Sequence, residues 1–427
     1  MSWKAYLEYK QSGVEWLGDV PEHWIYGRLG DYVKLINGFP FDSQNFDREV
    51  GTPLIRIRDI LNNFTEVNWA GKDITEAAVR AGDILIGMDG DFNVAWWSGP
   101  RAMLNQRVCC LRAKDILNQR YLFYLVGYPL RVINDVTYAT TVKHLSSFDV
   151  LKIRLLLPRY SEQTAIAAFL DRETARIDFL IEKKQRQIEL LQEKRSALIS
   201  HAVTKGLDPN VKMKDSGVEW LGEIPEHWEV KSIRRIAKAV KTGGTPAGAE
   251  EMHFDQTGFN WYTPSDFHVD VTLSGSSRRL SEIGKKEVRL FPAMTVMMVG
   301  IGATIGKVAL SLEPSSCNQQ INAIVCNSKM TPKFLTYLLR IMRAYIFRCG
   351  KFTTLPIINQ EDTKALIITC PPLPEQDVIV SILDNETERT DALIGKIQMS
   401  IDKLREYRTA LISAAVTGKI DVRKEVS

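Results

Sequence analysis

Glycines close to a lysine give the first chemical lead. Gly302-Ala-Thr-Ile-Gly306-Lys307-Val308 has parts of a phosphate-binding loop. In such a loop backbone N–H groups cradle phosphates, a lysine reaches the outer phosphates, and a Ser or Thr hydroxyl holds Mg²⁺. The match fails twice. One residue is missing between the glycines, and Val308 stands where the hydroxyl is needed. Gly300, Gly302 and Gly306 miss the dinucleotide fingerprint by one residue too many. They read as turns between packed strands. No Asn-Pro-Pro-aromatic tetrapeptide occurs, so the adenine-methylating loop is absent, and no nuclease-type Asp…Glu-x-Lys placement stands out. His23, His144, His201, His227, His253 and His268 show no ligand spacing. Catalytic residues and a metal site are therefore expected to be absent, and the chain is read as non-catalytic.

Whatever the chain does is then done by binding, and the elements that present binding residues become the question. The 427 residues suit two or three domains. Apolar residues make up 45% and charged ones 25%, which excludes a disordered or fibrous chain. The longest uncharged stretch, Leu290 to Gly306, carries Pro292 and three glycines, so it reads as strands and turns rather than a membrane span. The N-terminus has no signal-peptide core. The six cysteines form no C-x-x-C and no disulfide framework, which fits free buried thiols in a reducing cytoplasm. Charge is unevenly spread. Residues 229–360 hold 17 Lys+Arg against 9 Asp+Glu, a net of +8, whereas residues 25–150 hold 14 of each. The second stretch of chain is basic enough to sit on phosphate.

The chain is also a long internal duplication. Ser12-Gly-Val-Glu-Trp-Leu-Gly-Asp-Val-Pro-Glu-His-Trp24 recurs as Ser216-Gly-Val-Glu-Trp-Leu-Gly-Glu-Ile-Pro-Glu-His-Trp228. Leu170-Asp-Arg-Glu-Thr174 returns as Leu383-Asp-Asn-Glu-Thr387, and Ser196-Ala-Leu-Ile-Ser-His-Ala-Val-Thr204 as Thr409-Ala-Leu-Ile-Ser-Ala-Ala-Val-Thr417. Between these anchors the halves differ, apart from echoes such as Asn105-Gln106 with Asn318-Gln319. This is one scaffold used twice with different middles. Ile181, Ile188, Leu191 and Leu198 form a heptad stripe in the first exit segment, and Ile394, Ile401, Leu404 and Leu411 one in the second. Each stripe is too narrow to stand alone. The two helices are expected to pair antiparallel about a pseudo-two-fold axis, with the helix of the first copy running from Ala175 to Lys205. Gly206 and Gly418 sit where helices stop. Trp16, Trp24, Trp220 and Trp228 read as core or interface anchors.

The middles mix short apolar runs (Asp83–Gly87, Arg107–Leu111, Thr295–Val299, Ile321–Val325) and an alternating stretch, Pro53–Ile60, with helical spacing over Arg120–Ile133 and Pro332–Phe347. The expected fold class is mixed α/β: two homologous globular domains separated by a pair of long antiparallel coiled-coil helices. The segments are an entry segment 1–24, a first domain 25–157, a helical spacer 158–210, a repeated entry segment 211–228, a second domain 229–370 and a second spacer 371–427.

The repeated Ser-Gly-Val-Glu-Trp-Leu-Gly…Pro-Glu-His-Trp, with Asn37-Gly-Phe-Pro-Phe-Asp-Ser43, Leu104-Asn-Gln-Arg-Val108, Gly243-Gly-Thr-Pro246, Pro-Leu-Pro-Glu-Gln at 372–376 and the closing Ala-Leu-Ile-Ser segments, resembles the specificity (S) subunits of type I restriction-modification enzymes. The resemblance runs from about Ser12 to Val422. It implies a DNA-binding subunit in which each variable domain reads one half of a split, asymmetric site, while the helices set the gap and hold methyltransferase (modification) subunits. It further implies that S-adenosylmethionine, ATP and Mg belong to partner subunits, and that a restriction/translocase subunit joins through the modification complex. No membrane partner is implied, and the location is cytoplasmic. A coiled-coil scaffold without DNA readout is the competing reading; a self-contained methyltransferase or ATPase would need a cofactor loop.

DNA readout asks for Arg and Lys at phosphates and for Arg, Asn, Gln or Lys at base edges. In the first domain the candidates are Asn37, Arg56, Arg58, Asn93, Gln106, Thr140, Thr141 and Lys143. In the second they are Lys241, Thr242, Gly243, Gly244, Thr245, Tyr262, Arg278, Arg279, Lys307, Gln319, Lys351, Thr353 and Thr354. The Thr-Gly-Gly-Thr turn at 242–245 could offer successive N–H groups to a phosphate.

Overall fold

The computed structural model describes residues 3–13, 17–136, 143–249, 251–268, 270–352 and 356–424. The chain divides into two units. One comprises Met1–Lys184 with Met399–Ser427, and the other Gln185–Gln398.

The first unit centres on an antiparallel sheet of β1 (Val33–Asn37), β2 (Ile84–Gly87), β3 (Val94–Trp96) and β4 (Val108–Ala113), in the order β3-β2-β4-β1. Its central strand β2 is buried throughout. Ile84 and Ile86 face a cluster containing Leu122, Leu125 and Val126 of helix α1 (Gln119–Val136). Leu85 faces the opposite cluster with Ile55 and Trp97. Burial of both faces is why this strand reads as an unbroken apolar run. On that second face Thr52–Ile55 and Ala102–Leu104 pair in parallel. Ile25–Arg28 pairs with Arg154–Leu157 and ties the start of the globular part to its end.

The second unit repeats this plan. Strands β5 (Ala237–Thr242), β6 (Thr295–Val299), β7 (Val308–Ser311) and β8 (Ile321–Cys326) lie in the order β5-β8-β6-β7, extended by Thr272–Leu273. Val296 and Met298 face Phe334, Leu335 and Leu338 of helix α3 (Pro332–Ile341), and Met297 and Val299 face Tyr262 and Phe291. Glu229–Ser232 pairs with Ile367–Cys370.

Each unit also contains parts of two long helices. These are α2 (Tyr160–Lys205), of 46 residues, and α4 (Leu373–Val416), of 44. At 1.5 Å per residue α2 is about 69 Å long. The helix begins well before Ala175 because its first turns are domain core, with Ile166, Phe169 and Leu170 buried. Both helices end before glycines of left-handed φ, +79° at Gly206 and +71° at Gly418. In the first unit Asp178 pairs with Arg408 at 2.9 Å. At the start of α2 Glu162 accepts from Tyr6, whose ring lies under Arg423. The helix segments therefore run antiparallel. The second unit shows the same: Arg195 pairs with Asp391 at 2.6 Å, and Gly206 abuts Glu375. Of the heptad stripe, Ile188, Ile401 and Leu411 are buried, and Ile181, Leu191, Leu198, Ile394 and Leu404 are half-buried.

Three expectations need adjusting. The strand expected over Pro53–Ile60 ends at Ile55, because the Asp59 carboxylate takes the Arg56 N–H at 3.0 Å and starts a turn. The helical spacing over Pro332–Phe347 resolves into two helices that meet at Met342. The cysteines are free, but Cys349 is exposed and Cys326 half-buried rather than buried.

Burial pushes the thiols of Cys109 and Cys317 up to about 12. At pH 8 only about 1 in 10⁴ of such a thiol is thiolate, the reactive form. Iodoacetamide is expected to label native Cys349 and to leave Cys109, Cys110 and Cys317 unmodified until the chain unfolds. Mass spectrometry reads this directly. Native labelling of Cys109 at the rate of Cys349 would contradict the buried sheet.

Candidate nucleic-acid interface

In each unit, one end of the main sheet gathers four backbone segments, and the same hydrogen bonds build it twice. After β1, Gly38 N donates to Val108 O (3.1 Å) and Phe39 N to Leu104 O (2.8 Å); after β5, Gly243 N donates to Ile321 O (3.1 Å) and Gly244 N to Cys317 O (2.9 Å). The β2–β3 hairpin is closed by Gly87 N to Asn93 O (2.9 Å), and the β6–β7 hairpin by Val299 N to Lys307 O (2.8 Å). Met88 N donates to Arg107 O (3.0 Å), as Gly300 N does to Gln320 O (2.7 Å). The fourth segment is laid on by Gly90 N to Lys143 O and Leu145 N to Met88 O, matched by Gly302 N to Pro356 O and Ile358 N to Gly300 O. Only glycine fits at the crossing. A Cβ would lie 1.9 Å from Asn105 O at Gly38 and 2.1 Å from Cys317 O at Gly243.

The side chains carried by this common rim differ. In the first domain Asn37, Asn93 and Gln106 are exposed there, and Ser147 bonds Asn37. Exposed Arg58 joins them on a loop whose Ile57 packs at Gly87. In the second domain Lys241 is exposed, Thr245 bonds the exposed Gln319, and the amide of Gln360 contacts the Thr242 hydroxyl. Exposed Arg278 stacks 3.7 Å from the Phe254 ring and 5.5 Å from Trp261, whose indole N–H donates to Gly244 O (2.9 Å). Arg279 is half-buried on the same short strand.

Several candidate residues are committed elsewhere. Arg56 forks onto buried Asp59 (2.8 and 3.2 Å) and reaches Glu66. The N–H groups of Gly243 and Gly244 are spent on β8 and the adjoining turn, so the Thr-Gly-Gly-Thr turn offers no such nest to a phosphate. Tyr262 is 1% exposed and faces the core, and its phenol is raised by burial. Lys307 donates to Phe267 O (3.0 Å) and Lys143 to Asn134 O (2.7 Å). Gly302–Gly306 is the β6–β7 hairpin connection, not a phosphate loop. Thr140, Thr141, Thr353, Thr354 and Trp16 lie outside the described residues, and Lys351 belongs to the short Lys351–Phe352 strand.

Residue-by-residue reading missed Asp89, Arg107 and His144 in the first rim. Arg107 pairs with Asp89, and His144 Nδ1 lies 2.7 Å from the same carboxylate. Burial raises the Asp89 carboxyl, but the hydrogen bonds from His144 and Arg107 outweigh it and hold the group below the usual carboxylate range. Arg289, which donates to Thr242 O (3.3 Å), was missed in the second. The available signal was the Asn105-Gln106/Asn318-Gln319 echo, whose next positions are 107 and 320.

The repeated sequence anchors fix these rims to the helices. His23 bonds Glu162 and His227 bonds Glu375, each at 2.8 Å, beside fully buried Trp24 and Trp228. Trp220 packs on Tyr345, with centroids 5.5 Å apart. Asp171 takes Arg120 and Tyr124 from α1, and Asp384 takes Lys333 and Tyr337 from α3. Among the described residues no helix is long and apolar enough to cross a membrane, and no group of three His, Cys, Asp or Glu is placed to hold a metal.

Comparison with known proteins agrees with this duplicated plan. The chain is 26% identical to the EcoBI specificity subunit of Escherichia coli over 96% of this chain and 89% of that one. It is 25% identical to the MjaVIII specificity subunit of Methanocaldococcus jannaschii over 95% and 94%. Among solved structures, a chain described under complex assembly and conformational transition of the type I R-M system matches with a TM-score of 0.70 at 15% identity, over 93% of this chain and 98% of that one. The HsdS subunit from Thermoanaerobacter tengcongensis matches with a TM-score of 0.52 at 15% identity, over 94% and 98%. The profile of the type I restriction modification DNA specificity domain matches twice, at residues 21–190 and 225–403, and the chain therefore belongs to that family.

Proposed function

We propose that this chain is the non-catalytic address reader of a type I restriction-modification complex, with each domain reading one half of a split, asymmetric DNA site. The observation that carries this is the rim built twice by the same backbone hydrogen bonds but furnished with different side chains. One presentation frame with two sets of readers suits two different half-sites. The long helices set the gap between half-sites and offer modification subunits a common seat. Methylation with S-adenosylmethionine, and ATP- and Mg-dependent translocation and cleavage, fall to those partners and to a restriction subunit. The basic balance of residues 229–360 adds attraction to phosphate.

The test is selection from randomised duplex DNA by this chain assembled with its modification subunits. Two specified blocks separated by an unspecified gap are the expected result. Recovery of a single continuous block, or of no preference over random duplex, would refute the reading.

A further inference from the structure

The position after Gln106 is the same place in the frame as the position after Gln319. Arg107 O accepts from Met88 N, and Gln320 O accepts from Gly300 N. The side chains there belong to different chemistries. In the first domain the Arg107 side chain is 59% exposed and its NH1 is held by Asp89. Asp89 is 12% exposed and is itself held by His144, which also forms a backbone bridge with it. In the second domain Ile301 and Ile357 form the corresponding bridge, and Gln320 accepts from the Asn318 amide at 3.0 Å.

We propose, on the strength of the DNA-reading function above, that Arg107 is a base-reading residue of the first domain, that it takes a guanine edge in the major groove, and that Asp89 is its positioning residue. A backbone-phosphate contact serves any sequence, so both copies of a duplicated frame would keep a cation for it. The second copy has Gln320 there. The carboxylate also offsets the charge of Arg107 locally, which weakens it as a phosphate clamp. Asp89 occupies NH1, and the remaining N–H donors have no protein partner among the described residues. A guanidinium fixed at one corner has lost rotamer freedom before DNA arrives. Its free donors match the paired O6 and N7 acceptors of guanine.

The test is the same DNA selection with the assembled complex, using Arg107→Gln, Arg107→Met, Arg107→Lys and Asp89→Asn. A bidentate pair discriminates by about 5- to 150-fold against the wrong base. Arg107→Gln is expected to lose a preference of that size at one guanine of the first half-site. The second half-site stays intact and serves as the control for folding. Asp89→Asn is expected to keep the guanine but with weaker discrimination. If Arg107→Gln does not assemble, Arg107→Met decides on the same criterion, whereas Arg107→Lys, which can itself reach guanine O6 and N7, is expected to keep part of the preference. An unchanged guanine preference would overturn the proposal. So would a uniform loss of affinity with the motif intact, which marks a phosphate contact. Failure of the parent chain to select a split motif would instead refute the DNA-reading function itself, so the two failures are distinguishable.

Discussion

Replacing residues 25–157 with the corresponding part of a relative is expected to change one half of the methylated sequence and to leave the other half as it was. The exchanged piece carries the whole first rim: the turn at Gly38, the β2–β3 hairpin, Arg107 and the segment at Lys143. It leaves the second rim, at Gly243, Gly300 and Gln320, untouched. A mismatch costs about 1–3 kcal/mol per base pair, so two altered positions shift preference by about 30- to 30,000-fold. That is large enough to read as a different motif when methylated bases are sequenced in cells carrying the complete system. A chimera that altered both halves would show that the rims do not read independently.

A four-residue insertion after Glu189 tests the helices. Glu189 is exposed and follows buried Ile188 in the middle of α2. Four residues add about 6 Å of helix and rotate its C-terminal half by about 40°. DNA rises about 3.4 Å per base pair, so the unspecified gap is expected to lengthen by one or two base pairs with both half-sites unchanged. The rotation shifts the α2 stripe against its partner, so some loss of modification accompanies the change. An active insertion variant that kept the original gap would remove the helices as the spacing element.

The frame was legible because it is written twice. Ser12–Trp24 and Ser216–Trp228 announce the duplication, and their histidines make matching contacts, His23 to Glu162 and His227 to Glu375. The heptad stripe likewise located both helices. Its periodicity could not reveal that α2 begins at Tyr160, because the first turns bury Ile166, Phe169 and Leu170 in the domain rather than in the stripe. The rim was harder. Residue type alone nominated Arg56, yet a buried Asp59 three positions on claims it. Glycines at 243 and 244 suggested open N–H groups, but the close crossing that demands Gly243 also consumes them. Asp89, Arg107 and His144 meet only through strand register and a bridge between positions 55 apart, which no local pattern encodes.

The closure of the first unit by the far end of the chain has a consequence for the order of events during synthesis. The second unit is one uninterrupted stretch, Gln185–Gln398, and has all its parts once that stretch has left the ribosome. The first unit does not. Leu411, Ala415, Val416, Ile420 and Val422 belong to the same core as Leu17, Val20 and Trp24. The Asp421 N–H is bonded to the carbonyl of Lys4. Made first, this unit is finished last, and its entry segment keeps apolar surface in water while some four hundred residues are added, at about 5–20 residues per second. Tens of seconds of exposure make the nascent first unit, rather than the finished protein, the stage at which a chaperone has most to cover.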